Sequence, residues 1–148
     1  MTFWEDFEVG DRFEMGRHTF TEEEILDFGR RFDPQPFHAD PESAKASFFG
    51  GLIASGWHTC AVAMRLIVES YLKDAAGLGA PGVDAVRWLK PVRPGDTLAF
   101  RRQVLAKRAS TSRPGVGLVQ HRWEAANQHG ELVFSMEGWG MFGRRPVK

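Results

Sequence analysis

The chain has 148 residues, 43% hydrophobic and 26% charged, with a formal net charge of zero. That length supports a real core, and one domain over residues 1–148 is expected. A neutral chain has no overall field drawing it to nucleic acid or to an anionic membrane, so neither is expected as a partner.

The single cysteine, Cys60, cannot close an internal disulfide. Its neighbours (CAVAM) make it a small core side chain in a reducing compartment. The N-terminal MTFWEDFEVGD is acidic and mixed, unlike a signal or transit peptide. The most apolar segment, Trp57 to Val68, is too short to span a bilayer and contains His58 and Arg65. A cytoplasmic protein is expected.

In chain order, residues Arg12 to Phe20 read as a strand. TEEEILDFGRRF then reads as a helix. Thr21 and Glu24 form a capping box, acids fill the first turn, and Ile25, Phe28, Gly29 and Phe32 share a face. Pro34 disfavours helical geometry at Asp33, which ends the helix there. A carboxylate at a helix C-terminus opposes the dipole, a placement against local preference that hints at function.

Asp40-Pro41 opens a short helix through Ala46. FFGGLIASG leads into a long helix, roughly Ser55 to Ala75, apolar nearly all round and so expected to be wrapped. After Pro81, the stretches VDAVRWL, TLAFRRQVLAK, GLVQHRWEAAN and GELVFSMEGWGMF read as strands. Helices followed by strands predict an α+β fold, an antiparallel sheet curled round one helix.

Several motifs fail on context. GLGAPG matches the dinucleotide pattern, but it follows a helix and holds Pro81. The five histidines show no metal spacing, so no metal or other cofactor is expected. No G-x-S-x-G elbow is present. From Thr97 to Trp123 there is no acid, while Arg101, Arg102, Lys107, Arg108, Arg113 and Arg122 all fall there. That run reads either as a solvated sheet edge or as a grip for ligand phosphates.

FDPQPFHADPESA, Phe32 to Ala44, places Asp33 and His38 around two prolines. A carboxylate and an imidazole can form an acid–base pair. The glycine passage to Gly56 adds a backbone N–H at a helix entrance, suited to a developing oxyanion, with Ser55 as a cap.

These residues resemble the MaoC-like dehydratases and R-specific enoyl-CoA hydratases. The family motif is Asp-x-Asn-Pro-hydrophobic-His, then a small residue. Asp33, Pro36, Phe37, His38 and Ala44 match it, and Gln35 stands where Asn is usual. FGGLIASGWHT resembles the entry to the family's central helix, with Ser55-Gly56 where His-Gly is common. WLKPVRPGDTL, SRPGVG and NQHGELVFSMEG are similar as well.

The resemblance implies a hotdog fold, a homodimer or higher homo-oligomer, an acyl-CoA substrate, and reversible hydration of a trans-2-enoyl thioester. It implies Asp33 and His38 as the proton shuttle and the Gly56 N–H as the oxyanion donor. Gln35, Phe37, Phe48, Phe49, Ser55, Trp57 and His58 are the residues expected around the substrate. The alternatives are a hotdog thioesterase, for which Glu69 is the only helix acid before Asp74, and a non-catalytic acyl-CoA-binding protein.

Overall fold

The computed structural model describes residues 1–147. Five strands form one antiparallel sheet: β1 (Arg12–Thr19), β2 (Ala85–Trp88), β3 (Thr97–Ala109), β4 (Val116–Ala126) and β5 (Leu132–Gly143). Their spatial order is β1-β3-β4-β5-β2. Four α-helices precede β2: α1 (Glu22–Phe32), α2 (Pro36–Ala39), α3 (Pro41–Lys45) and α4 (Gly56–Ser70). The α+β architecture expected from sequence is present.

β4 alternates strictly between buried and partly exposed positions. Val119, His121, Trp123 and Ala125 therefore point to one face, as the two-residue period of a strand requires. Of these, Trp123 and Ala125, with Leu98 and Phe100 of β3 and Phe134 of β5, share a core with Ala63 and Ile67 of α4, while Val119 packs with Phe7 and Phe142. β1 bends over α4 at a bulge between Glu14 and Gly16. Gly16 has φ +126°, a conformation a side chain rarely adopts, and a Cβ there would already touch Leu66 of α4.

Two features differ from the sequence expectation. α4 stops at Ser70, and Leu72–Asp74 continue as a 3-10 turn. The sheet also covers only one side of α4: Trp57 is 59% exposed, Met64 46% and Val68 39%. One five-stranded sheet can bury a single helix face, and the apolar residues opposite stay open. GLGAPG is no phosphate loop here. Leu78 N–H donates to Met141 O, and Met141 N–H donates to Gly79 O, both at 2.8 Å, so the segment is bound to the end of β5.

The sheet's inner face carries one polar column. Tyr71, His121 and Trp123 stack in sequence, with ring centroids 5.3 and 5.4 Å apart. Arg102 donates to His121 Nε2 at 3.1 Å. Burial, and then the Arg102 charge, push the His121 pKa down to about 3 from 6.5. Burial likewise pushes the Tyr71 hydroxyl up to about 12.

Above pH 6.5 His121 is neutral in both folded and unfolded chains. Below it the unfolded chain takes up a proton that the folded chain refuses, so stability falls as the pH drops toward about 3. His121→Phe is expected to be less stable at neutral pH, because Arg102 loses an acceptor, by about 1–3 kcal/mol. Its melting temperature should nevertheless decline less steeply between pH 6.5 and 4. Parallel Tm–pH curves for the two proteins would remove His121 as the source.

Candidate active site

α1 begins at the predicted capping box: Thr21 N–H donates to Glu24 and Glu24 N–H to Thr21 Oγ1. It ends at Asp33, whose N–H still donates to Gly29 O at 2.9 Å. Pro36 then opens α2, a four-residue helical turn with proline at its first position. α2 carries His38 and lies directly on α1 at Gly29. A Cβ on Gly29 would sit 2.1 Å from the His38 carbonyl oxygen, so backbone would have to move for any other residue. Gly29 thus sets the spacing between the acid-bearing and imidazole-bearing turns.

After α3 the chain returns along this pair. Ile53 N–H donates to Phe37 O, and Ala54 N–H to Val92 O. Ser55 then caps α4, its Oγ accepting from Trp57 N–H at 3.3 Å.

The two turns bring Asp33 Oδ2 to 3.3 Å from His38 Nε2. Ser55 Oγ donates to the same Oδ2 at 2.7 Å, and Gln35 Nε2 donates to Oδ1 at 2.8 Å. Burial pushes the Asp33 carboxyl upward. The hydrogen bonds from Gln35 and Ser55, together with the His38 charge, outweigh it and hold the group below the usual carboxylate range. His38 Nδ1 lies 2.7 Å from Ile53 O. A carbonyl only accepts, so Nδ1 carries a hydrogen and Nε2 alone can gain or lose a proton.

The dyad faces a cavity of about 650 Å³. Asp33, Gln35, Phe37, His38, Phe48, Phe49, Gly56 and Trp57 all line it. Ser55 acts on it through Asp33, combining the expected cap with a second bond that the sequence did not suggest. His58 is elsewhere. It is on α4, its ring buried 4.9 Å from Phe28 in a stack and edge-on to Phe20, with no hydrogen-bond partner for Nδ1 among the described residues. Burial pulls its pKa down.

Gly56 N–H has no protein acceptor among the described residues. A Cβ at Gly56 would fall 2.2 Å from the Trp88 indole, so glycine is required there by packing as well. Sequence reasoning missed Trp88, the last residue of β2, and Leu89, Lys90 and Arg93 in the connection that follows it. The only available signal was Trp88, an aromatic residue at the end of a short predicted strand.

The basic run does not face this cavity. Arg101 pairs with Glu124, and Lys107 donates to the carbonyls of Trp4 and Phe7. Arg101, Arg102 and Arg122 line a separate groove with Arg12, Glu14 and Glu124. The cavity's own cations are Lys90, which is paired with Glu131, and Arg93, which donates to Phe49 O at 2.8 Å.

A family described as "MaoC like domain" matches residues 6–124. The crystal structure of a MaoC-like dehydratase from Rhodospirillum rubrum superimposes with a TM-score of 0.91 at 45% identity, covering 99% of this chain and 100% of that one. A Bacillus subtilis protein, YdeM, is 30% identical over 112 residues, 76% of this chain and 79% of its own length. Mesaconyl-CoA hydratase from Cereibacter sphaeroides is 42% identical over 82 residues, 55% of this chain but 22% of that protein.

Ser55→Ala removes a donor that stabilises the ionised Asp33. The midpoint of the Asp33 carboxyl, followed by carbon-detected NMR, is therefore expected to move upward. An unchanged midpoint in the folded variant would show that the Ser55 hydroxyl does not hold the carboxylate.

Proposed function

The chain belongs to the MaoC-like dehydratase family, and from that membership we propose that it reversibly hydrates a trans-2-enoyl-CoA to the (R)-3-hydroxyacyl-CoA, in the cytoplasm. The observation that carries the reading is the Asp33–His38 contact in the wall of a cavity whose only acid is Asp33.

In the hydration direction, Asp33 carboxylate takes a proton from the attacking water as the water oxygen bonds C3. The C2–C3 π pair shifts toward the thioester, and negative charge gathers on its oxygen near the Gly56 N–H. Nε2 of protonated His38 gives its proton to C2. Proton transfer from Asp33 to His38 then restores the pair. One water is consumed and no proton is left over. Acid and base approach from the same wall, which supports syn addition.

The enoyl group fits between Phe37, Phe49, Trp57 and Trp88, where apolar walls raise the strength of polar contacts by excluding water. Arg93 is the cation available to the phosphates of the carrier. A thioesterase would need a further carboxylate, and Glu69 is bound to Arg65 near the other end of α4.

The open face of α4, with Trp88 and Leu89 exposed at the sheet edge, supports a homodimer. A monomer in sedimentation velocity at micromolar concentration would overturn that assembly.

The deciding assay is hydration of a panel of enoyl-CoAs, mesaconyl-CoA among them, with chiral analysis of the product. Asp33→Asn is expected to fold and to lose about a hundredfold or more in kcat. Arg93→Ala is expected to raise KM alone. No hydration of any substrate, or a folded Asp33→Asn with full turnover, would overturn the reading.

A further inference from the structure

A second cavity, of about 320 Å³, lies alongside the C-terminal half of α4 and shares no lining residue with the first. Its walls are largely apolar, with Met64 and Ile67 on one side and Met136 and Phe142 on another. The volume is within the range of small-molecule sites, roughly 300–1,000 Å³. Nothing in the proposed hydration uses it.

One wall is polar, and its hydrogen bonds do not close. His121 is 1% exposed and lines the cavity. Its Nε2 must accept from Arg102, because a guanidinium has no lone pair to offer. The neutral ring therefore carries its hydrogen on Nδ1, which makes no hydrogen bond among the described residues, although the fully buried side-chain nitrogen left without one is His58 Nδ1. Tyr71 lines the same cavity, and its hydroxyl accepts from Trp123 Nε1 at 3.1 Å. The Tyr71 hydroxyl proton also has no protein acceptor among the described residues.

Behind both stands Arg102. Its guanidinium lies 4.0 Å over the Tyr71 ring and 4.4 Å over the Phe13 ring. It forms no ion pair with any carboxylate among the described residues, although burial pulls its pKa down. Buried donors are normally satisfied. Here two donors without a protein acceptor border an apolar cavity, and the half-buried Arg102, which also lines the groove with Glu14 and Glu124, stands behind them.

We propose that this cavity binds a carboxylate carried on an apolar chain. The carboxylate accepts from His121 Nδ1–H and from the Tyr71 hydroxyl, in the field of Arg102, and the chain lies against the buried Ile67, Met136 and Phe142. The carboxylate has two chemical sources: a free acid, or the distal end of an acyl group whose thioester sits at the dyad. Only the second source rests on the hydratase reading.

The test is titration of the wild-type protein, labelled with nitrogen-15 in histidine, with octanoate and separately with 1-octanol. Octanoate is expected to shift the His121 Nδ1 resonance saturably, and 1-octanol to shift it much less. His121→Phe and Tyr71→Phe each keep an aromatic ring in the stack, and each is expected to weaken octanoate binding by about tenfold or more, as loss of a hydrogen bond to a charged group would.

An enoyl-CoA hydration assay separates the sources. Octanoate that shifts His121 and competes with the thioester marks the distal end of an acyl group. Octanoate that shifts His121 without competing marks a free acid. Either supports the site. A His121 resonance that octanoate leaves in place, or that 1-octanol moves equally, overturns it. Because the readout is a ring nitrogen, the result stands whether or not the protein proves to be a hydratase.

Discussion

The Ser55 hydroxyl joins the two halves of the candidate site. It accepts from the first turn of α4 and donates to the carboxylate at the end of α1. A hydroxyl can do both at once, whereas the side chain of alanine or valine can do neither. One atom thus sets where α4 starts and where Asp33 points. Gly56 follows it at the helix entrance, with Trp88 packed where a side chain would otherwise be. The acid and the start of the helix that presents the free N–H are thus tied to each other through one side chain.

α1 and α2 bring a second constraint, one of distance. Asp33 and His38 meet because the chain turns within a few residues and the two turns touch at Gly29. The carboxylate stands at the C-terminus of α1, where the dipole does not help it. Gln35, Ser55 and His38 supply the compensation that the helix withholds. The cost of placing an acid there is met by groups that also fix its orientation, so stabilisation of the charge and geometry of the site come from the same bonds.

Much of this was legible in the sequence, for identifiable reasons. The capping box at Thr21 and Glu24 and the proline after Asp33 act locally, so the boundaries of α1 followed from neighbouring residues. GLVQHRWEAAN, set off by SRPGVG before it and a tight turn after it, marked β4 in the same local way, and burial alternates along it in the structure. What escaped was long-range. The Trp88 contact with Gly56 joins residues far apart in sequence, and no local pattern reports it. His58 is close to Gly56 in sequence but does not line the cavity, because a helix turns successive side chains by about 100°. The basic residues are neighbours in sequence, but alternation on β3 sends Arg101 outward to Glu124 and Arg102 inward to His121.

The fixed hydrogen on His38 Nδ1 has a stereochemical consequence. Only Nε2 can exchange protons, and it stands on the same cavity wall as Asp33. Under the proposed chemistry, hydroxyl and hydrogen then arrive from one side of the double bond. For an acyl group substituted at C2, that couples two adjacent stereocentres. A given alkene geometry yields one diastereomer, and the opposite geometry, if it fits the cavity, yields the other.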